Sequence, residues 1–417
     1  MPLSLSQYPR AFYVLIVVGF LMVMSGGMAN SFLPIEAKEL DPSEFLVGLV
    51  VSSYHIVRLF FELPSGIISD RIGRRKLILI GIAMGAGGAL VCAEATSVYT
   101  LMLGRALWGF GASFFFLNNS TLIMTMFEPE RRGKALGMFQ SLEIVGSVIG
   151  QPIGAFIAEY FGFRFAFYVS AIVVSVGVIP ILMSRDFARH ATAHVTKSGE
   201  KHKLDLTRLA RNPCLLILCG TVFIRMIVNR GITGTVFEIY LVDHLMLSLG
   251  LVGVALMIRS AGFSLTTVGS GILIDRFGSK TTVIIGTIIE ASSMILYTFA
   301  RSIETIVPIV LLDGLGSGML SVSLMVILSN QVDLKHTGTA VGLYRTFQDA
   351  GSVTGPLLVM TMYGAFTAPL NANICFYATA AMLLANIPFL LRLPKRGARV
   401  ENATSELSES IATKHGK

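Results

Sequence analysis

The chain has 417 residues, of which 53% are hydrophobic and only 14% charged, and its mean hydropathy is +0.71. A soluble domain carries roughly a quarter charged residues, so this chain lacks the charge to cover a water-facing surface, and a soluble enzyme is excluded. The net charge of +8 sits in alternate loops between apolar runs, which speaks for membrane topology and against a nucleic-acid partner.

Apolar runs long enough to cross a bilayer, about 20 helical residues each, recur from Ala11 to Leu393. They predict twelve membrane helices, at 11–33, 45–69, 77–95, 98–127, 134–160, 164–183, 214–242, 250–274, 281–299, 304–332, 337–365 and 371–393. The first run has no small-residue cleavage site leading into a soluble domain, so it reads as the first helix and not as a signal peptide. Cys92, Cys214, Cys219 and Cys375 lie in or near spans without metal-ligand spacing and read as packing residues.

Basic residues crowd every second loop. Arg71, Arg74, Arg75 and Lys76 follow span 2, Arg131, Arg132 and Lys134 follow span 4, and Arg276, Lys280 and Lys335 repeat the pattern later. The segment 184–213 and the tail are also basic, whereas the opposite loops carry only Lys38, Arg164 and Arg301. The positive-inside rule then places both termini and the central segment in the cytoplasm of a cell whose inner (cytoplasmic) membrane holds the chain. His190, His194 and His202 fall in that central segment and read as part of a solvated linker, so no metal site is expected.

A shift of 205 residues aligns the two halves without a gap. Gly66, Asp70, Arg71 and Gly73 fall on Gly271, Asp275, Arg276 and Gly278; Gly109 and Gly111 fall on Gly314 and Gly316; Gly146 and Gly150 fall on Gly351 and Gly355. Duplication of a unit with an even helix count gives parallel halves related by an axis along the membrane normal. The expectation is an all-α membrane protein of two pseudo-symmetric six-helix bundles, at 1–183 and 214–393, with a cytoplasmic linker at 184–213 and a cytoplasmic tail at 394–417.

After span 2 the chain reads Gly66-Ile67-Ile68-Ser69-Asp70-Arg71-Ile72-Gly73-Arg74-Arg75-Lys76. This resembles the signature loop of the major facilitator superfamily, G-x-x-x-D-R-x-G-R-[RK]-[RK], and a partial copy with Asp275 and Arg276 stands in the second half. The resemblance implies a conformational latch built from Gly66, Asp70, Arg71, Gly73, Arg74, Asp275 and Arg276. Span 4 holds Gly104-Arg105-Ala106-Leu107-Trp108-Gly109-Phe110-Gly111, similar to a helix-4 motif common in the family's proton-coupled drug exporters. Span 5 holds Gly146-x-x-x-Gly150-Gln151-Pro152-x-Gly154, which resembles the family's antiporter motif with its proline one place late.

Charges inside spans are costly and mark pathways or partners. Here they are Arg58, Arg105, Arg225, Arg230, Arg259 and Arg345 against Glu62, Glu143, Glu238, Asp313 and Asp349. Arg58 with Glu62 and Arg345 with Asp349 stand at i,i+4 spacing and are expected to pair along their own helices. Arg225 and Arg230, five apart, diverge by about 140° around an α-helix and cannot both face one cavity. A carboxyl group in a desolvated cavity can load and release a proton. Asp313, Glu143 and Glu238 are therefore the candidates for proton coupling, and the resemblance of its motif to that of proton-coupled exporters adds Arg105 to them. Arg230, Arg259, Arg345, Gln348, Asp349, Phe115, Asn118 and Asn119 are the candidates for a substrate cavity that is neutral to mildly positive. His55 and His244 read as packing or interface residues.

No nucleotide-binding G-x-x-x-x-G-K-[ST] run occurs, so ATP drive is not expected. The expected protein is a secondary-active transporter, not an enzyme. It would exchange protons for small amphipathic organic molecules, as a monomer in the bilayer and without a cofactor. An uptake or exchange carrier for an organic anion is the alternative, favoured by the surplus of arginine. A non-transporting receptor is the third reading, against which stands the lack of an appended signalling domain.

Overall fold

A computed structural model of the chain describes residues 8–192, 212–331, 337–368 and 370–393. The side chain of Asp70, most of the 184–213 linker with His194 and His202, Lys335 and the tail at 394–417 lie outside the described residues. In hydrocarbon every backbone N–H and C=O must find its partner inside the chain, so apolar runs of this length become helices. Along the first half these are α1 (Arg10–Asn30), α2 (Glu44–Ile72), α3 (Arg74–Ala93), α4 (Val98–Met126), α5 (Pro129–Phe161) and α6 (Phe163–Met183). The second half holds α7 (Pro213–Asp243), α8 (Leu249–Phe277), α9 (Ser279–Tyr297), α10 (Ile303–Gln331), α11 (Thr337–Gly364) and α12 (Leu370–Leu391). No strand occurs among the described residues.

Eleven of these helices are both long and apolar enough to cross a bilayer. The twelfth, α11, has 28 residues and thus a length of about 42 Å at the α-helical rise. Its polar content, including Arg345, Gln348 and Asp349, belongs to a helix packed between α2 and α7.

The 205-residue repeat is visible in the helix ends. Adding 205 to the bounds of α2 and of α4 gives the bounds of α8 and α10. Gly73 and Gly278, at φ 90° and 80°, make the same sharp exit from α2 and α8, a left-handed conformation that favours glycine. A methyl group on Gly109 would strike the carbonyl of Tyr54, and one on Gly314 the carbonyl of Arg259, the same approach repeated 205 residues on.

Three apolar clusters show how the halves meet. Phe12, Leu15, Ile78, Phe115 and Phe139 pack within the first half, and Leu215, Leu218, Val283 and Leu324 within the second. The third cluster spans both halves at the end away from the termini, with Phe32, Val47, Trp108, Phe167, Phe237 and Phe376. At that end Lys38 meets Asp243 at 2.6 Å, the Gly250 N–H donates to Glu159 at 2.6 Å and the Ser52 hydroxyl to the Val353 carbonyl at 2.8 Å.

The end that carries the termini is different. Gly133 and Gly137 of α5, Gly269 and Gly271 of α8 and Gly342 of α11 face open space, whereas a methyl on Gly48 of α2 would lie 2.6 Å from the Pro356 carbonyl. The halves are thus closed at one end and parted at the other. Gly253→Val would push α8 off Ala155 and Pro152 of α5 at a cost of about 1–3 kcal/mol, selectively in this closed end. Maleimide labelling of a cysteine placed at Gly137 should then fall roughly tenfold as the population leaves this state; unchanged labelling would show that the α5–α8 contact does not hold it.

Candidate functional site

A cavity of about 250 Å³ lies between the halves. Met22, Gly26 and Asn30 of α1, Tyr54, His55 and Arg58 of α2, Arg105, Trp108 and Phe116 of α4, Ser147 of α5 and Arg230 and Gly234 of α7 line it. No carboxylate is among the lining residues.

Arg105 is almost wholly buried. Its guanidinium donates to Asn30 Oδ1 at 3.0 Å and stands over the rings of Tyr54 and Trp108, at 5.0 and 5.6 Å from their centroids. These are neutral partners, which share a cation's charge without cancelling it. Arg230 sits on a π-helical turn, Ile227–Val236, inserted between the two α-helical parts of α7. The wider turn frees backbone carbonyls, and the Thr235 hydroxyl donates to those of Arg230 and Gly231 at 2.8 and 2.7 Å. π-Helical insertions inside α-helices recur at functional sites, and this ten-residue one carries Arg230 to the cavity wall while Arg225 points elsewhere. The third lining arginine, Arg58, is compensated: it meets Glu62 at 2.9 Å and Asp349 of α11 at 3.8 Å.

The pairing of Arg58 corrects half of the expectation from spacing. Arg58 and Glu62 do pair along α2, but Arg345 reaches across to Glu62 at 3.7 Å. The four groups form a cross-braced set between α2 and α11, hence between the halves, because α2 and α11 lie side by side and offer an acid nearer than the next turn does.

A second polar cluster lies inside the second half, away from the cavity lining. Asp313 of α10 is fully buried; its Oδ2 accepts from Arg259 Nε of α8 at 2.7 Å and from the Tyr297 hydroxyl of α9 at 2.9 Å. Arg225 of α7 lies against Ser317 of α10, at 3.4 Å from both its carbonyl and its hydroxyl. Glu290 of α9 is fully buried beside this set, near Ser317, and neither carboxyl oxygen has a partner at hydrogen-bond geometry among the described residues. Arg259, expected in the cavity, is thus committed to Asp313.

The remaining candidates are dispersed. Glu143 of α5 faces Gly19 of α1, and its Oε1 is buried without a hydrogen-bond partner among the described residues. Glu238, just past the π segment, is buried, and its Oε2 has no hydrogen-bond partner among the described residues. Phe115 packs in the core of the first half and does not reach the cavity; its neighbour Phe116 does. Asn118 donates to the Phe114 carbonyl of its own helix at 2.7 Å, and the buried Asn119 side chain has no hydrogen-bond partner among the described residues. Gln348 is half-buried on α11. In the loop region Arg71, Asp275 and Arg276 are exposed, Gly66 packs on Leu117, and Arg74 approaches the Thr125 hydroxyl at 3.5 Å. Arg75 donates to the Ile181 carbonyl at 3.2 Å, which holds the loop to α6.

Sequence reasoning missed Glu290, although a single acid in the run from Thr282 to Tyr297 carries the same signal as Asp313. It also missed Asn30, Tyr54 and Trp108, which have no charge to draw attention.

Breaking a buried ion pair by removing one partner costs about 3–5 kcal/mol, because the other charge stays buried. Asp313→Asn and Arg259→Gln should each lower the thermal stability of the purified protein, and Arg259→Met with Asp313→Leu should recover most of the loss. A double variant as unstable as the sum of the singles would mean that the two residues act separately.

The family model for the Major Facilitator Superfamily matches residues 15–229 and 221–415. The chain is 26% identical over 382 residues to the multidrug resistance protein MdtG of Salmonella choleraesuis (strain SC-B67), covering 88% of this chain and 91% of that protein. It is 25% identical over 327 residues to the synaptic vesicular amine transporter of Homo sapiens, covering 78% of this chain but only 62% of the amine transporter's length. The crystal structure of a bacterial homologue of the human lysosomal transporter Spinster superposes with a TM-score of 0.75 at 14% identity, over 91% of this chain and 95% of that one. Two repeated bundles of membrane helices around a central cavity, with a family model matched along nearly the whole chain, have one reading: this multi-pass membrane protein belongs to the Major Facilitator Superfamily and is built as a secondary transporter.

Proposed function

We propose that the chain is a proton-coupled exporter of small amphipathic organic compounds, working by alternating access in the inner membrane with both termini in the cytoplasm. The observation that carries the coupling is the buried Asp313, whose Oδ2 is held by Arg259 and Tyr297 outside the cavity lining. A proton arriving at Asp313 removes the charge that holds Arg259, so the α8–α10 contact weakens and the second half can repack. That is a differential interaction between two states, which is what a coupling ion must supply. Export is supported by the similarity to a protein named for multidrug resistance, by the Arg105 motif and by the basic loops on the open side.

In the proposed cycle a compound enters the cavity from the open, cytoplasmic end. The halves then rock about the cavity. Lys38 parts from Asp243, Gly250 from Glu159, and the far end opens. A proton from outside reaches Asp313 and the empty carrier returns. Glu143 and Glu238, buried with unpartnered oxygens, are further proton carriers in this scheme. The loop from Gly66 to Lys76 acts as a latch: the anion of Asp70 interacts with a helix N-terminus of the other segment when the parted end closes.

Proteoliposomes that accumulate a fluorescent aromatic compound under an imposed pH gradient test the coupling. Asp313→Asn should abolish uphill accumulation while downhill exchange and binding survive; gradient-driven accumulation at the wild-type level would move the role to another acid. Asp70→Asn should leave the protein inserted and slow exchange about two- to fivefold, since the anion–helix interaction contributes about 0.3–1 kcal/mol. Exchange at the normal rate would reduce that loop to a topology signal.

A further inference from the structure

We propose that the cavity takes a small organic anion, whose negative group is held between Arg105 of the first half and Arg230 of the second. This rests on reading the cavity as the transport site and adds to it the chemical class of what is carried. Of the three lining arginines only Arg58 has acids within ion-pair distance among the described residues, Glu62 and Asp349; Asp349 acts on Arg230 from farther away. Arg105 is met by an amide and two rings. The Arg230 side chain has no hydrogen bond, ion pair or ring contact among the described residues, and the Nε atoms of both Arg105 and Arg230 are buried without a partner there.

Two guanidinium groups without an ion-pair partner in one cavity of about 250 Å³ repel each other and have each lost part of their hydration, which is costly in a protein interior. An anion between them removes both costs and gains charge-assisted hydrogen bonds, bidentate where a carboxylate meets the guanidinium fork. The same arrangement repels a cation. Phe116, Tyr54 and Trp108 supply apolar faces beside this pair. The volume is near the lower end of ligand sites, which run from about 300 to 1,000 Å³, so it suits a body of one or two rings.

The position of the two arginines adds a mechanical consequence. They stand on α4 and α7, one in each half, so an anion bridging them draws the halves together over itself. Binding at this point thereby favours occlusion, and a neutral compound of the same shape, lacking the bridge, does not.

The test uses the full-length protein and three compounds of one shape: 2-naphthoate, its neutral amide and 2-naphthylmethylammonium. Direct binding of each is measured at low and at high chloride, together with flux in proteoliposomes with and without a pH gradient. Naphthoate should bind at least tenfold tighter than the amide, about 1.4 kcal/mol, and the ammonium compound weakest. Arg105→Gln and Arg230→Gln should each shrink that preference to less than threefold. Arg230→Lys, which keeps the charge and loses the fork, should retain an intermediate preference and shows that loss in the Gln variant is not misfolding.

Equal binding of acid and amide, preference for the ammonium compound, or a preference that survives both Gln variants would overturn the inference. So would displacement of naphthoate by chloride with no flux of naphthoate, which would make this an inorganic-anion site. Naphthoate flux that ignores the pH gradient would sink the coupling reading and leave the anion site standing. Proton-driven flux of the ammonium compound with no naphthoate binding would do the reverse.

Discussion

An arginine held between membrane helices must have its charge answered by the protein, since an unanswered one costs roughly 2.5–3.5 kcal/mol even by insertion scales. The way each arginine here is answered decides what its helices can do. Arg259 is locked to Asp313, which ties α8 to α10 inside one bundle. Arg58 and Arg345 share Glu62 and Asp349, which ties α2 to α11 and so one bundle to the other. Arg225 rests on Ser317. Of the arginines that line the cavity, Arg105 and Arg230 are left, among the described residues, with neutral company or none within ion-pair distance. The structure thus separates charges that hold helices from charges that await something.

The repeat sharpens that separation. Under the 205-residue shift Tyr54 corresponds to Arg259 and Trp108 to Asp313. The backbones around these positions approach in the same way, with Gly109 on the Tyr54 carbonyl and Gly314 on the Arg259 carbonyl. One structural position therefore holds an aromatic pair that receives the Arg105 cation in the first half, and an ion pair in the second. Arg105 itself corresponds to Val310, a fully buried apolar residue. Duplication supplied one helix contact twice, and divergence at its side chains made a cavity wall of one copy and a buried charged cluster of the other.

These features differ in how far the sequence reveals them. Helix positions follow from apolar run length because hydrocarbon permits little else, and the glycines that repeat at 205 mark close approaches that any duplicated bundle must keep. The partner of each charge is another matter. Spacing on one helix predicts Arg345 with Asp349, but the acid that Arg345 reaches is Glu62, on a helix nearly 300 residues away in sequence whose proximity depends on how the two bundles meet. The π turn around Arg230 is equally hidden, although Gly231 and Gly234 with Thr233 and Thr235 are the residue types that let a helix widen and re-satisfy its carbonyls. Phe115 and Phe116 are adjacent and chemically identical, and which of them faces the cavity is set by the rotation of α4 against its neighbours.

In the proposed cycle the compound binds between the bundles and the proton inside the second one, so an element must touch both places, and α7 does. Its α-helical start places Arg225 on Ser317, beside Glu290 and one turn from Asp313. Its π turn begins at Ile227 and carries Arg230 into the cavity. A π turn has poorer hydrogen-bond geometry than the helix on either side of it and is held here by the Thr235 hydroxyl and by close contact of Gly231 with the Gly355 carbonyl of α11. Movement at the buried cluster therefore meets the most compliant stretch of α7 before it meets the cavity arginine. That stretch is also packed on α11, the helix that carries Arg345 and Asp349 across to the first half. In the proposed cycle the route from proton to compound runs through these few contacts, each of which has a physical reason to hold in one state and yield in the other.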